Sequence, residues 1–232
     1  MSNITSKRKE ERMKRYTDAK IISDRSYNLS LGGTVFYGLL INVIMCACLG
    51  DVVSNMNPII FLIGYFACAL TGIFMSTKSD NPIISFIGYN LVVLPVGLVV
   101  SSVVSSYVAS GMGYLVTQAM LITTIVTFVM IVLSLIFPNF FSKLGLYLFF
   151  ALLGLLIVQI IAIFVVGRVP ILFAWIGATI FSLYIGYDYW KAQAFPKTLD
   201  NAIDSALDLY LDIINLFLDI LRILGSSKSS RD

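Results

Sequence analysis

Apolar positions in this chain run in long blocks of similar length, with neither the alternation of strands nor the narrow stripe of a soluble amphipathic helix. About 20 apolar residues cross a hydrocarbon core about 30 Å thick. Seven stretches reach that length: about 30–50, 58–76, 82–104, 112–137, 143–166, 170–190 and 203–224. Each is predicted to be a helix. Three begin at a proline (Pro58, Pro82 and Pro170), which suits a first helical turn. Pro95 falls inside the third stretch and predicts a kink, whose freed carbonyl needs a partner from a neighbouring helix or a Ser or Thr. Linkers are short, and no internal repeat or second domain is visible. The pattern predicts an all-α membrane protein, a bundle of seven transmembrane helices.

Composition sharpens the picture. Hydrophobic residues make up 58% of the chain and charged ones 12%, against roughly 45–50% and 25% in soluble domains. No charge occurs from Asn81 to Ser142, a neutral run that no soluble core needs. The charge excess sits in one place. Residues 1–25 hold eight Lys and Arg against four acids. Alone, such a cluster would suit nucleic acid; beside a first span it reads as a cytoplasmic tail held at anionic lipid, with no nucleic-acid partner. It is long for the start of a cleaved signal peptide, and no small-residue cleavage site follows. Residues 1–26 are therefore read as a basic tail, 27–225 as the membrane domain and 226–232 as a short polar tail. With the tail inside, inner segments carry 12 Lys and Arg and outer ones 4 if all seven stretches cross. A re-entrant last segment would return the C-terminus to the cytoplasm, so that end stays open. Short loops and the lack of an organelle signal favour a bacterial inner membrane over the endoplasmic reticulum.

Polar residues inside the stretches, among them Asn42, Asn90, Ser101, Thr123 and Thr124, predict hydrogen bonds between helices. Ala174, Ala178, Ser182 and Gly186 step by four and predict a close helix contact. Cys46, Cys48 and Cys68 lie in apolar surroundings and read as packing residues.

The last stretch is apolar yet contains Asp204, Asp208, Asp212 and Asp219, which fall within about 80° of one another on a helix. One reading lays it at the membrane interface with its acids in water. The other puts it at the centre of a bundle, its acidic face lining a hydrated cation pathway with Asn215 on the same side. Such interfacial helices usually carry Lys and Arg, and this one carries none before Arg222, which favours the second. Asp188, near the end of the sixth stretch, is either an interfacial residue beside Trp190 or the partner of an acid on the seventh. Two close carboxylates in low dielectric resist double ionisation and would share a proton. With no His in the chain, acid sensing would have to use carboxylates.

Enzyme classes lose their parts on inspection. Without His there is no Ser-His or Cys-His pair and no HExxH zinc site, and no GxxxxGK[ST] loop occurs. Tyr187-Asp188 meets half of the intramembrane aspartyl protease pattern, but Leu209-Tyr210-Leu211 precedes Asp212 where Gly-x-Gly is needed. No enzyme, cofactor or fixed metal site is expected.

The run 207-LDLYLDIINLFLDILRILG-225 closely resembles the C-terminal signature of the Bax inhibitor-1-like membrane proteins, and 181-FSLYIGYDYW-190 resembles their sixth helix. The resemblance implies six helices wrapped around a hydrophobic seventh. In bacterial relatives it implies a pH-dependent calcium leak, with Asp188 and Asp212 as the two-aspartate sensor. Ca²⁺ would be the permeating ion rather than a cofactor, and protons the regulator. Many such relatives carry an arginine at the cytoplasmic end of the second helix that latches the sixth-helix aspartate. Here Ser76 or Thr77 stands near that place and Lys78 is the nearest cation, the candidate latch, though it lacks the guanidinium fork. Tyr65 stands near an acidic position of the family's second helix, and the family's loop histidines are absent from 191–202. The alternative expectation is a non-conducting regulatory protein that binds a membrane partner such as a protease or a cell-death factor.

Overall fold

A computed structural model of the chain describes residues 20–50, 52 and 56–229. The tail before Lys20, Asp51 and the end after Ser229 lie outside the described residues. Among those described there are eight helices: α1 (Asp24–Cys48), α2 (Pro58–Lys78), α3 (Pro82–Ala109), α4 (Gly113–Ile136), α5 (Pro138–Phe141), α6 (Gly145–Val166), α7 (Leu172–Ala194) and α8 (Leu199–Ser229). No strand forms among them; Ile21 and Thr198 make an isolated antiparallel bridge. Seven helices match the seven apolar stretches, and α5 is a single extra turn begun by Pro138. Five of them, α1, α2, α3, α4 and α6, are long and apolar enough to cross a membrane. Helices α7 and α8 have the length, but their polar residues keep them outside that group.

The starts of α1 and α8 lie outside the apolar blocks because caps set them. Ser23 accepts from the Ser26 amide, so α1 begins at Asp24, inside what the sequence suggested was tail. Thr198 Oγ1 accepts from the Asn201 amide at 3.1 Å, and α8 starts at Leu199. Both are side-chain answers to the orphan amides of a first turn. Asn57 caps α2 in the same way. Helix α3 runs on through Pro95.

The chain forms two compact units. The first comprises residues up to Ser102 together with Ala192–Leu207. Tyr27 of α1 is fully buried there and donates to the Ala192 carbonyl at 2.9 Å. Lys197 meets Asp24 at 3.0 Å and lies over the Tyr27 ring. These contacts tie the start of α1 to the last turn of α7 and the loop before α8. Helices α2 and α3 touch backbone to backbone: a Cβ on Gly72 would sit 2.5 Å from the Gly88 carbonyl oxygen, and one on Gly88 would sit 2.6 Å from that of Gly72. Tyr37 donates to Asn90 Oδ1 and Tyr89 to the Thr34 carbonyl, both at 2.8 Å, pinning α1 to α3.

The second unit comprises Val103–Lys191 and the chain from Asp208 onward. Its outer helices are almost wholly apolar. Phe149, Phe150, Ile157, Ile161, Phe164 and Val165 of α6 stand exposed on the bare protein, a surface that only lipid can cover. Gly167 ends α6 in the left-handed region, φ 72°, its amide bonding to the Ile163 carbonyl. Phe141 of α5 packs on Gly186, and Tyr187 on Gly145. A cavity of about 300 Å³ lies among Ile122, Val126, Ala178, Ser182, Leu216 and Ile220. Part of the small-residue stripe of α7 thus borders a cavity, where the sequence suggested a helix contact.

Polar residues of the spans behave differently from expectation as well. Thr123 and Thr124 donate to carbonyls four residues back on their own helix, whereas Ser101 reaches the Leu98 carbonyl at 2.9 Å and also the Leu49 carbonyl at the end of α1 at 3.5 Å. A hydroxyl that satisfies itself within its own turn needs no neighbour. Asn90 does receive the expected bond from another helix.

The Gly72–Gly88 crossing yields a prediction. Gly72→Ala or Gly88→Ala forces two backbones apart and should cost about 1–3 kcal/mol, read as a lower melting temperature of detergent-purified protein. Gly64→Ala and Gly154→Ala, where a Cβ meets nothing within 4 Å, should leave the melting temperature unchanged or raise it.

Candidate functional site

Helix geometry places residues three and four apart on one face. On α7 this sets Asp188 and Lys191 side by side; on α8 it sets Asp208 and Asp212 one turn apart. All four belong to the second unit, and the structure brings them together. Lys191 Nζ lies 3.1 Å from Asp188 Oδ1 and 2.6 Å from Asp208 Oδ2. The carboxyls of Asp188 and Asp212 are within hydrogen-bonding reach of each other, and both residues are buried. A carboxyl can donate to another only if one of the two carries a proton. Asp212 Oδ2 is buried with no hydrogen-bond partner. Tyr184, one turn before Asp188, faces the same charges. The turn that carries Asp188 is steadied by Tyr187, whose ring lies 5.9 Å from that of Trp190.

Other acids of the predicted stripe meet separate partners. In the first unit Ser76 Oγ donates to Asp204 Oδ1, and Ser85 Oγ to Asp200 Oδ1 at 2.6 Å. Asp204 and Asp200 are buried. Asp200 also sits in the first turn of α8, where a negative charge suits the helix dipole. In the second unit Asp219 packs its carboxylate against Gly177 of α7. Asn215 turns back on its own helix and donates to the Leu211 carbonyl at 2.7 Å. Asp200, Asp204 and Asp219 therefore each meet a partner of their own, and the 300 Å³ cavity is lined by none of the acids.

Sequence reasoning named Asp188 and Asp212 but missed Lys191, Asp200 and Ser85. Lys191 stood at the edge of an apolar block and was counted as a loop charge; its three-residue spacing from Asp188 was the available signal. Asp200 continues the four-residue step of Asp204, Asp208 and Asp212 by one turn. Lys78, the candidate latch, is exposed in the last turn of α2; the cation on Asp188 is Lys191. Among the described residues, no group of three or more His, Cys, Asp or Glu side chains is arranged to hold a metal ion. The cationic position among these acids is taken by the Lys191 ammonium.

Comparison with known proteins points to one family. The family described as "Inhibitor of apoptosis-promoting Bax1" matches residues 23–229. An uncharacterised Helicobacter pylori protein is 38% identical over 118 residues, 50% of this chain and 50% of its own length. The Golgi anti-apoptotic protein of vaccinia virus is 34% identical over 131 residues, 56% of this chain and 53% of its own. Bax inhibitor 1 of Saccharomyces cerevisiae is 42% identical over 62 residues, 26% and 20% respectively. The chain spans about half the length of the bacterial and viral relatives, and less of the yeast one.

The Asp219–Gly177 contact can be tested alone. Gly177→Ala puts a methyl into the Asp219 carboxylate and should lower the melting temperature. In an Asp219→Ala background the same change should cost little. A double-mutant cycle should show coupling of about 0.5–3 kcal/mol.

Proposed function

Because the chain belongs to the Bax inhibitor-like family of membrane proteins, we propose that it is a seven-span cation leak, carrying calcium, with Asp188 and Asp212 as its proton-dependent gate. The closed state is the arrangement described above. Helices α7 and α8 complete the set of spans, α8 at the centre, with the N-terminus in the cytoplasm of a bacterial cell. The observation that supports this reading best is the cluster itself. Three carboxyls and one ammonium lie together on two neighbouring helices. Isolated acids in a membrane are costly, at roughly 2.5–3.5 kcal/mol each on insertion scales, and tend to mark ion or proton pathways.

The sign of the pH dependence follows from charge counting. Counted with one proton shared by Asp188 and Asp212, and with the Lys191 ammonium ion-paired to Asp188 and Asp208, the cluster carries a net charge of −1. A second proton brings it to neutrality, whereas loss of the first doubles the negative charge in low dielectric. Acidification is the easier step. It neutralises the carboxylate half of the Asp188–Asp212 pair, so that the charge-assisted bond between α7 and α8 becomes a weaker neutral one. Hard carboxylate and carbonyl oxygens suit Ca²⁺, provided that binding is weak enough for release.

A second reading is favoured by the names of two relatives, "Golgi anti-apoptotic protein" and "Bax inhibitor 1". Here the protein regulates a membrane partner and the aspartates only stabilise the bundle.

Calcium flux into proteoliposomes at about pH 6, 7 and 8 separates the two. Wild-type flux should rise as pH falls, by at most about tenfold per unit for a single proton. Asp188→Asn and Asp212→Asn should flatten the profile. Folded wild-type protein that passes no calcium at any of these pH values would remove the leak reading and leave the regulatory one.

A further inference from the structure

We infer that Lys191 is a tethered cation that holds the carboxylate cluster shut, and that opening consists of its ammonium leaving Asp208 in favour of an entering divalent cation. Its functional meaning rests on the leak reading above. The two bonds of the ammonium are not equivalent. Asp188 lies three residues earlier on the same helix, so no movement of α7 as a body can part it from Lys191. Asp208 belongs to α8, and the 2.6 Å contact to it joins the two helices. Any separation of α7 from α8 at this level must break that bond first.

Two further observations point to an incoming cation. Asp208 is the open side of the clasp, with 42% of its side chain exposed against 9% for Asp188. An ion reaching the cluster meets Asp208 before the buried pair. One turn further along α8, Asp212 is buried, and its Oδ2 takes no bond from a hydroxyl, an amide or the ammonium. It is an acceptor that the ammonium does not satisfy and that a cation displacing it would. The chemistry of lysine suits this task. An ammonium is a compact point charge that moves on a flexible stem, whereas an arginine fork would bind both oxygens of a carboxylate at once. A divalent ion competes for the same oxygens with twice the charge.

The test uses the full chain, both in proteoliposomes and in detergent. Lys191→Met and Asp208→Asn both remove the link between helices. Each should pass calcium several-fold faster than wild type at about pH 8. Lys191→Arg, which keeps the charge, should lie closer to wild type than Lys191→Met does. In detergent, millimolar Ca²⁺ should raise the melting temperature of Lys191→Met by several degrees, because the ion fills the vacated position. It should leave wild type and the Lys191→Met/Asp208→Asn double variant nearly unmoved. A folded Lys191→Met that shows wild-type flux and no calcium-dependent melting overturns the inference. If Lys191→Met does not fold, Asp208→Asn decides through flux alone, and unchanged flux there counts against the inference. Absent flux in wild type, by contrast, defeats the leak reading, while the calcium-dependent melting of Lys191→Met still decides the role of Lys191.

Discussion

A carboxylate buried among apolar helices must be met by a proton, a hydroxyl or a cation, because leaving it bare costs several kcal/mol. Helix α8 carries five aspartates, Asp200, Asp204, Asp208, Asp212 and Asp219. Much of the detail around it consists of answers to that requirement. Serine hydroxyls meet Asp200 and Asp204, an ammonium meets Asp208, and a second carboxyl meets Asp212. Each answer has a different strength and a different sensitivity to conditions. A hydroxyl donates at any physiological pH. The carboxyl pair holds only while it has a proton to share.

Elsewhere the packing is governed by the opposite problem, the lack of polar contacts to orient helices that are apolar all round. Close approach takes over that role. Gly72 and Gly88 let α2 and α3 meet through their backbones, Gly97 admits Asn42 and Met45 of α1, and Gly186 admits Phe141. These contacts are short-ranged and steep, so they define helix positions even though lipid and protein interior are equally apolar. The tyrosines complement them. Tyr27, Tyr37 and Tyr89 each reach a carbonyl or amide oxygen on another segment of the first unit.

How much of this was legible beforehand depended on range along the chain. Apolar blocks revealed the seven long helices because each is a local property of about 20 residues. The starts of α1 and α8 did not follow the blocks, since Ser23 and Thr198 set them through caps that hydropathy ignores. The turn at Pro138 was too short to register. Within the site, Asp188 and Asp212 stood out as acids in apolar surroundings. The partners of α8 did not, because Ser76 and Ser85 lie more than a hundred residues away and no periodicity connects them to Asp204 and Asp200. Lys191 was the exception: its pairing with Asp188 was written in a three-residue spacing.

That spacing bears on how the protein is made. Helix α7 carries its acid with a counter-ion already attached, so on the seven-span reading the two charges would enter lipid as one near-neutral dipole. Helix α8 has no such companion before Arg222, and its acids would each resist insertion if it entered lipid alone. Yet Ser76, Ser85 and Lys191 all precede it in the chain and are synthesised first. The receptors for its carboxylates exist by the time it emerges from the ribosome. On the seven-span reading its integration would be a docking reaction onto helices already present, with order of synthesis supplying what hydropathy withholds.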